Sequence, residues 1–381
     1  MVPEGWSYRT VAEILEKVSN PVDVDSSATY QEIGIRSHGK GIFHKEPILG
    51  KNLGNKRVFH IEPDCFVVNI VFAWEQAIAK TSEAEVEMIA SHRFPMFRPK
   101  SGLCDIDFIL YYFNTKKGKS LLELASPGGA GRNKTLGQSE FAKLGLLLPS
   151  VEEQKKIAQI LSTWDKAITT TEQLLANSQQ QKKALMQQLL TGKKRLLDKN
   201  GVRFSGGWRF LTFDEAFKVA NKKSAQVKSS DYFATGSVPV VDQGKELIAG
   251  YCDNDERYTN VPVIIFGDHT RCLKWVDFEF CPGADGTQVL DSKEFLDKKF
   301  GYYLLCHTDI PNLGYSRHMR ELKEKDFKVP VDMVEQQKIA AVLSSADQEI
   351  SALQQKLDAL KQEKKALMQQ LLTGKRRVLV S

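Results

Sequence analysis

The sequence lacks a Pro-Pro dipeptide, a CxxC pair and any uninterrupted apolar run near the roughly 20 residues a membrane span requires. Without Pro-Pro, the Asn/Asp-Pro-Pro-Phe/Tyr element that grips a flipped base in amino-methyltransferases is missing. No glycine-rich strand–turn–helix for S-adenosylmethionine takes its place. Six cysteines (Cys65, Cys104, Cys252, Cys272, Cys281, Cys306) are scattered along the chain, which fits reduced, half-buried thiols better than disulfides or a zinc site. The opening MVPEGWSYRT has neither the basic nor the apolar region of a secretory leader, so a cytoplasmic location is expected.

Catalytic patterns are equally scarce. GGAGRNKT approaches a phosphate loop, but Asn133 stands where the glycine before Lys134-Thr135 belongs, and its Cβ hinders the backbone cradle. Asp285 with Asp291-Ser292-Lys293 is a faint metal-nuclease shape without a second strand-borne carboxylate. Asp268-His269 has no nucleophile beside it. No catalytic residue, metal site or cofactor on this chain is expected.

What the chain has is length, a modest positive charge and an internal repeat. Its 381 residues suffice for two or three domains, and the net charge of +6 fits a polyanionic partner. Between Gln31 and Arg57 the cations Arg36, Lys40, Lys45, Lys51, Lys56 and Arg57 face only Glu32 and Glu46, enough to neutralise several phosphates.

KKALMQQLLTGK occurs at Lys182–Lys193 and again at Lys364–Lys375, an offset of 182 residues. The same offset aligns Glu153, Gln154, Ile157, Ala158, Leu161 and Asp165 with Glu335, Gln336, Ile339, Ala340, Leu343 and Asp347. Each repeat opens on Gly-Trp (Gly5-Trp6, Gly207-Trp208), read as neither helix nor clear strand, and passes through a variable region to a proline and a long helix.

Both helices carry heptads. One seam is Ile157, Leu161, Trp164, Ile168, Thr171, Leu175, Ser178, Lys182, Leu185, Leu189, polar in its middle. The other is Ile339, Leu343, Ala346, Ile350, Leu353, Leu357, Leu360, Lys364, Leu367, Leu371. Sustained a/d spacing argues for a coiled coil, and each helix is the other's obvious partner. A Glu152–Leu190 helix spans about 58 Å, and the link from Leu190 to Trp208 would have to run back almost taut to make the pair parallel. Antiparallel helices need no return. Lys182 and Lys364 break the seams at one level, either to set register or by snorkelling their ammonium groups to water.

The expected fold class is therefore α+β. Two recognition domains are separated by an intramolecular antiparallel two-helix coiled coil with a pseudo-twofold repeat. The expected bounds are 1–150 and 201–331 for the domains, 151–200 and 332–381 for the helices. Two such readers suit half-sites roughly one to one and a half helical turns apart on a duplex. The outward Lys183, Gln187 and Gln188 recur as Lys365, Gln369 and Gln370 although packing does not demand it, which points to a protein partner docking twice.

In the first variable region FVVNIVFAW reads as a buried strand. Basic loops there offer Arg36, Ser37, His38, Lys40, Lys45, Lys56, Arg57, His92, Arg93, Arg132, Asn133 and Lys134 as DNA contacts. In the second, VPVIIF and WVDFEF read as strands and GDHTR as the turn leaving one. Its candidates are Gln243, Lys245, His269, Thr270, Arg271, Lys274, Arg317, His318 and Arg320.

With PSVEEQKKIAQIL at Pro149–Leu161, PVDMVEQQKIAAVL at Pro330–Leu343 and LLTGK closing both helices, the whole chain resembles the specificity subunit of type I restriction-modification systems. IIFGDHTR, GADG, GIRSHGKGIF and SHRFP are similar to recognition-domain subtypes of that family. The resemblance implies that each domain reads half of a bipartite, asymmetric target on double-stranded DNA. It also implies that two methylation subunits dock on the helices, and that translocase-nuclease restriction subunits join for phage defence. S-adenosylmethionine, ATP and Mg would then belong to those partners, and no membrane is involved. The alternatives are a self-contained methyltransferase or nuclease, and a coiled-coil scaffold that does not bind DNA.

Overall fold

The structure, a computed structural model, describes residues 2–128, 134–314 and 316–379, so Arg132 and Asn133 lie outside the described residues. The chain divides into two compact units, Met1–Thr171 with Lys356–Ser381 and Glu172–Gln355, so that each unit takes a piece of both long helices.

In the first unit the strand Ser7–Thr10 pairs antiparallel with Gly145–Leu148. Thr10 then caps the short helix Val11–Ile14: its hydroxyl accepts the Glu13 amide while the Glu13 carboxylate accepts the Thr10 amide. That box turns the chain into Leu15–Val18, the edge of an antiparallel sheet continued by Met96–Pro99, Phe66–Val68 and Ile78–Lys80. The helix Ile106–Phe113, capped by Asp105, packs on this sheet.

The second unit follows the same plan. Trp208–Thr212 pairs with Asp326–Pro330, and Thr212 with Glu215 repeats the capping box. The sheet runs Phe217–Val219, Thr287–Ser292, Val263–Gly267, Leu273–Val276, and the helix Lys298–His307, capped by Asp297, packs on it.

The Gly-Trp pairs are thus strand openings: Trp208 begins its strand and Trp6 directly precedes one. The ribbon partner supplies the hydrogen bonds that the local sequence could not reveal. FVVNIVFAW is a strand only at Phe66–Val68; Asn69 Oδ1 accepts the Val71 amide at 3.1 Å and turns the chain toward the 3-10 turn Ala73–Glu75. WVDFEF likewise stops being a strand after Val276.

The long helices are continuous over Val151–Leu189 and Met333–Leu371. Inside each unit they pair in opposite directions. In the first, Ile157 and Leu161 share a core with Leu371, while Asp165 meets Lys364. In the second, Leu189 shares a core with Ile339, while Lys182 meets Asp347. The polar step Thr171 packs inward because its hydroxyl donates to the Ala167 carbonyl at 2.8 Å, leaving its methyl for the seam. Lys182 and Lys364 do not snorkel: each ammonium is bonded to a seam-level aspartate.

Buried polar side chains fix each domain to its helices. Gln154 donates to the Pro149 carbonyl and accepts the Asp105 amide. Gln336 treats Pro330 and Asp297 in the same way. Each glutamine therefore clamps the end of a ribbon and the cap of a domain helix to a long helix. Glu153 takes two hydrogen bonds from the Arg377 guanidinium, and Glu335 takes two from Arg195. Beside each arginine a tryptophan sits on the glycine that ends the long helix. A Cβ on Gly374 (φ +70°) would lie 3.1 Å from the Trp6 ring, and one on Gly192 (φ +74°) 3.0 Å from the Trp208 ring.

Candidate nucleic-acid interface

The first unit gathers five of its expected contacts around one turn. Ser91–Phe94 leaves the strand Ile89–Ser91 and is pinned on several sides. The His92 amide donates to the Arg57 carbonyl at 3.0 Å, the Arg93 carbonyl accepts the Ile70 amide at 3.0 Å, and the Phe94 amide returns to Ser91 at 2.8 Å. Clefts open on both sides of the turn; Lys56, Ser91, His92 and Phe94 line both, Arg57 lines one, and Lys45 and Arg93 line the other. The Arg57, His92 and Arg93 side chains are exposed and form no ion pair or hydrogen bond among the described residues. Lys45 and Lys56 are partly neutralised, since the buried Glu32 carboxylate lies 3.6 and 2.7 Å from their ammonium groups.

A second cluster flanks the 3-10 turn Ala73–Glu75. Ser37 Oγ donates to Glu75 Oε2 at 2.9 Å and the His38 amide donates to the Glu75 carbonyl at 2.7 Å, which holds the tip of the hairpin formed by the strands Ile33–Ile35 and Ile42–His44. His38 and Lys40 project from that tip. Arg36 folds back over Phe43, its guanidinium 4.8 Å from the ring centroid and bonded to the Ile42 carbonyl. Lys134 lies 5.5 Å over the Trp74 ring, on the same turn.

In the second unit three loops converge on Asp268, which in sequence stood out only as half of an Asp-His pair without a nucleophile. Its carboxylate accepts the Met319 amide at 2.7 Å and its carbonyl accepts the His318 amide at 2.8 Å. Gln243 Oε1 accepts the His269 amide at 3.1 Å, the Thr270 hydroxyl donates to the Gln243 carbonyl, and His269 Nδ1 lies 3.1 Å from the Ser316 carbonyl. Gly286 (φ +65°) has the Gln243 side chain where a Cβ would stand, so the GADG turn forms the floor under that glutamine. Lys245, Thr270, Arg317 and Arg320 are exposed at the rim, Arg320 with Glu324 at 3.5 Å. Arg271, at φ +61°, spends one guanidinium nitrogen on the Ile310 carbonyl.

Two expected contacts are not surface groups. Lys274 is 6% exposed, and its ammonium donates to the Asp242 carbonyl; burial pushes its pKa down while Asp242 opposes the shift. His318 is 0% exposed, with Nδ1 on the Asp268 carbonyl and Nε2 accepting the Leu313 amide. Both belong to the scaffold that holds the loops. A lysine and a histidine among basic neighbours read as surface groups because sequence does not show which loop covers them.

On the long helices Lys183, Gln187, Gln188, Lys365, Gln369 and Gln370 are all exposed. Among the described residues no group of three His, Cys, Asp or Glu side chains is placed to hold a metal, and no helix is long and apolar enough to cross a membrane.

Residues 3–177 match the protein-family model of the type I restriction modification DNA specificity domain. Over 99% of its length the chain is 24% identical to a Methanocaldococcus jannaschii protein provisionally named as the specificity subunit of the MjaX type I restriction enzyme, covering 95% of that protein. Its fold is similar to the type I restriction-modification S subunit of M. genitalium, with a TM-score of 0.64 at 14% identity over 97% of this chain and 99% of that one. A chain from a structure described as the basis of complex assembly and conformational transition of the type I R-M system gives a TM-score of 0.55 at 17% identity, over 98% and 99%.

Proposed function

We propose that this chain, whose residues 3–177 match the type I restriction modification DNA specificity domain, is a DNA-recognition rather than catalytic chain of that family and reads a bipartite, asymmetric target on double-stranded DNA. Residues 1–150 and 201–331 act as the two readers, and the helical segments 151–200 and 332–381 carry them. The observation that supports this most is two units built on one plan, each with its own basic surface: the pinned Ser91–Phe94 turn in one and the Asp268-centred loops in the other. Unlike readers on like frames suit an asymmetric target.

Phosphate contacts by exposed lysines and arginines supply most of the affinity, and base-edge contacts from the pinned loops supply the discrimination. Two methylation subunits dock on the exposed repeats around Lys183, Gln187, Gln188 and Lys365, Gln369, Gln370. They bring S-adenosylmethionine, while the restriction subunits bring ATP and Mg; the complex works in the cytoplasm. One experiment tests this reading: methylome sequencing of DNA exposed to the complex assembled with its methylation subunits. Methylation confined to one two-part sequence is expected. Modification by the purified chain alone would instead make it an enzyme, and DNA binding indifferent to salt would make it a scaffold.

A further inference from the structure

Each unit contains a three-residue node at the level where a lysine interrupts the apolar seam. In the first unit Lys364 Nζ meets Asp165 Oδ1, the Tyr111 hydroxyl donates to Asp165 Oδ2 at 2.7 Å, and the ammonium lies 5.3 Å from the Tyr111 ring centroid. In the second unit Lys182 Nζ meets Asp347 Oδ1, the Tyr303 hydroxyl donates to Asp347 Oδ2 at 2.7 Å, and the ammonium lies 5.5 Å from the Tyr303 ring centroid. Asp165 and Asp347 are repeat equivalents, and so are Lys182 and Lys364; the first long helix gives the aspartate to one node and the lysine to the other. Each tyrosine comes from the helix of its own domain, Ile106–Phe113 or Lys298–His307.

A lysine at a seam position costs apolar packing, and a partly exposed ion pair returns little of it. Stability is therefore a poor reason for the arrangement. Direction is a better one. Apolar side chains repack when a domain helix slides or rotates by a fraction of a turn. A phenol bonded to one oxygen of a carboxylate, whose other oxygen is held by an ammonium lying over the same ring, admits one setting. Burial, and then the bond to Asp165, push the Tyr111 phenol pKa up, so it remains a donor.

We propose that the two Tyr–Asp–Lys nodes are positioning devices for DNA reading. They fix the angle at which each domain stands on its helices, and thereby the spacer length accepted between the half-sites. Tyr111, Asp165 and Lys364 serve the first reader; Tyr303, Asp347 and Lys182 serve the second. The proposal rests on the bipartite reading given above.

The test uses the complete methylating complex and a DNA library in which both half-sites are fixed and the spacer is varied by one base pair either way. Tyr303→Phe, which removes one oxygen, and the Tyr303→Phe/Lys182→Met pair should leave base preference intact while discrimination between spacers falls about tenfold. Ile339→Val, which trims the same buried core without touching the node, should leave discrimination unchanged. A wild-type complex indifferent to sequence sinks the bipartite reading itself. A wild-type complex that discriminates, with node variants that match it or an Ile339→Val control that relaxes equally, sinks the nodes alone.

Discussion

Around Ser91–Phe94 the exposed cations ride on one turn braced by Arg57 and Ile70, whereas around Asp268 the exposed groups sit on separate loops tied together by a buried carboxylate. The two surfaces share no residue pattern and no element. Their attachments differ hardly at all: a glutamine clamp, a glutamate–arginine pair, a tryptophan on a helix-ending glycine and a capping box occur in both units. The attachments solve a packing problem that is the same twice, so they repeat. The readers are braced from within their own sheets and loops, so they can diverge without loosening the joint.

The sharpest way to break that equivalence is through the arginines. Glu335 is 0% exposed and its partner Arg195 has 18% of its side chain exposed, whereas Arg377, the partner of Glu153, has 43% exposed. Arg195→Ala leaves a carboxylate in a dry site and should destabilise the second unit by about 3–5 kcal/mol. Glu153 is buried like Glu335, but Arg377 is open to water, so Arg377→Ala leaves a path by which water reaches the carboxylate and should destabilise the first unit less. Urea unfolding with hydrogen exchange read at Trp208–Thr212 and Ser7–Thr10 distinguishes the two. Equal losses would mean that the exposure difference has no energetic consequence.

The readers should respond differently from the joints. Arg93→Ala and Arg317→Ala remove exposed guanidinium groups from different units, and each should cost about 1–3 kcal/mol against the cognate sequence at one half-site only. Lys40→Ala should weaken binding to all sequences alike and reduce the salt slope by about 1. Binding titrations over half-site variants at two salt concentrations separate these outcomes. Loss of preference in both halves from either arginine would deny that the units read independently.

The frame was legible in sequence to an unusual degree because duplication supplied an internal control. Repeated Glu153-Gln154, Ile157, Leu161 and Asp165 marked the long helices and their seams, and short connections fixed their direction. The capping boxes were visible too, as Thr10-x-x-Glu13 and Thr212-x-x-Glu215 at matching distances from the tryptophans, a cue that heptad spacing overshadowed. The reader surfaces were legible only as residue types. Exposed Arg93 and buried Lys274 are both cations near strands, and the covering chain that separates them is distant in sequence. Tyr111 and Tyr303 gave no sign either, since their partners lie 54 and 44 residues away.

The smallest expected difference lies at the helix ends, where the two glycines are the same in conformation and differ in what surrounds them. Both hold positive φ, so alanine at either should cost about 1–2 kcal/mol in backbone strain alone. At Gly374 the added Cβ would also stand 2.6 Å from Pro3 Cγ, a stiff ring, while at Gly192 its nearest neighbour is the Trp208 ring at 3.0 Å. Gly374→Ala should therefore be the more damaging of the two, by a margin smaller than the strain they share. Thermal unfolding of the two variants in parallel measures that margin. If Gly192→Ala proved the worse, Trp208 would be the stiffer neighbour, and the second unit's joint the tighter of the pair.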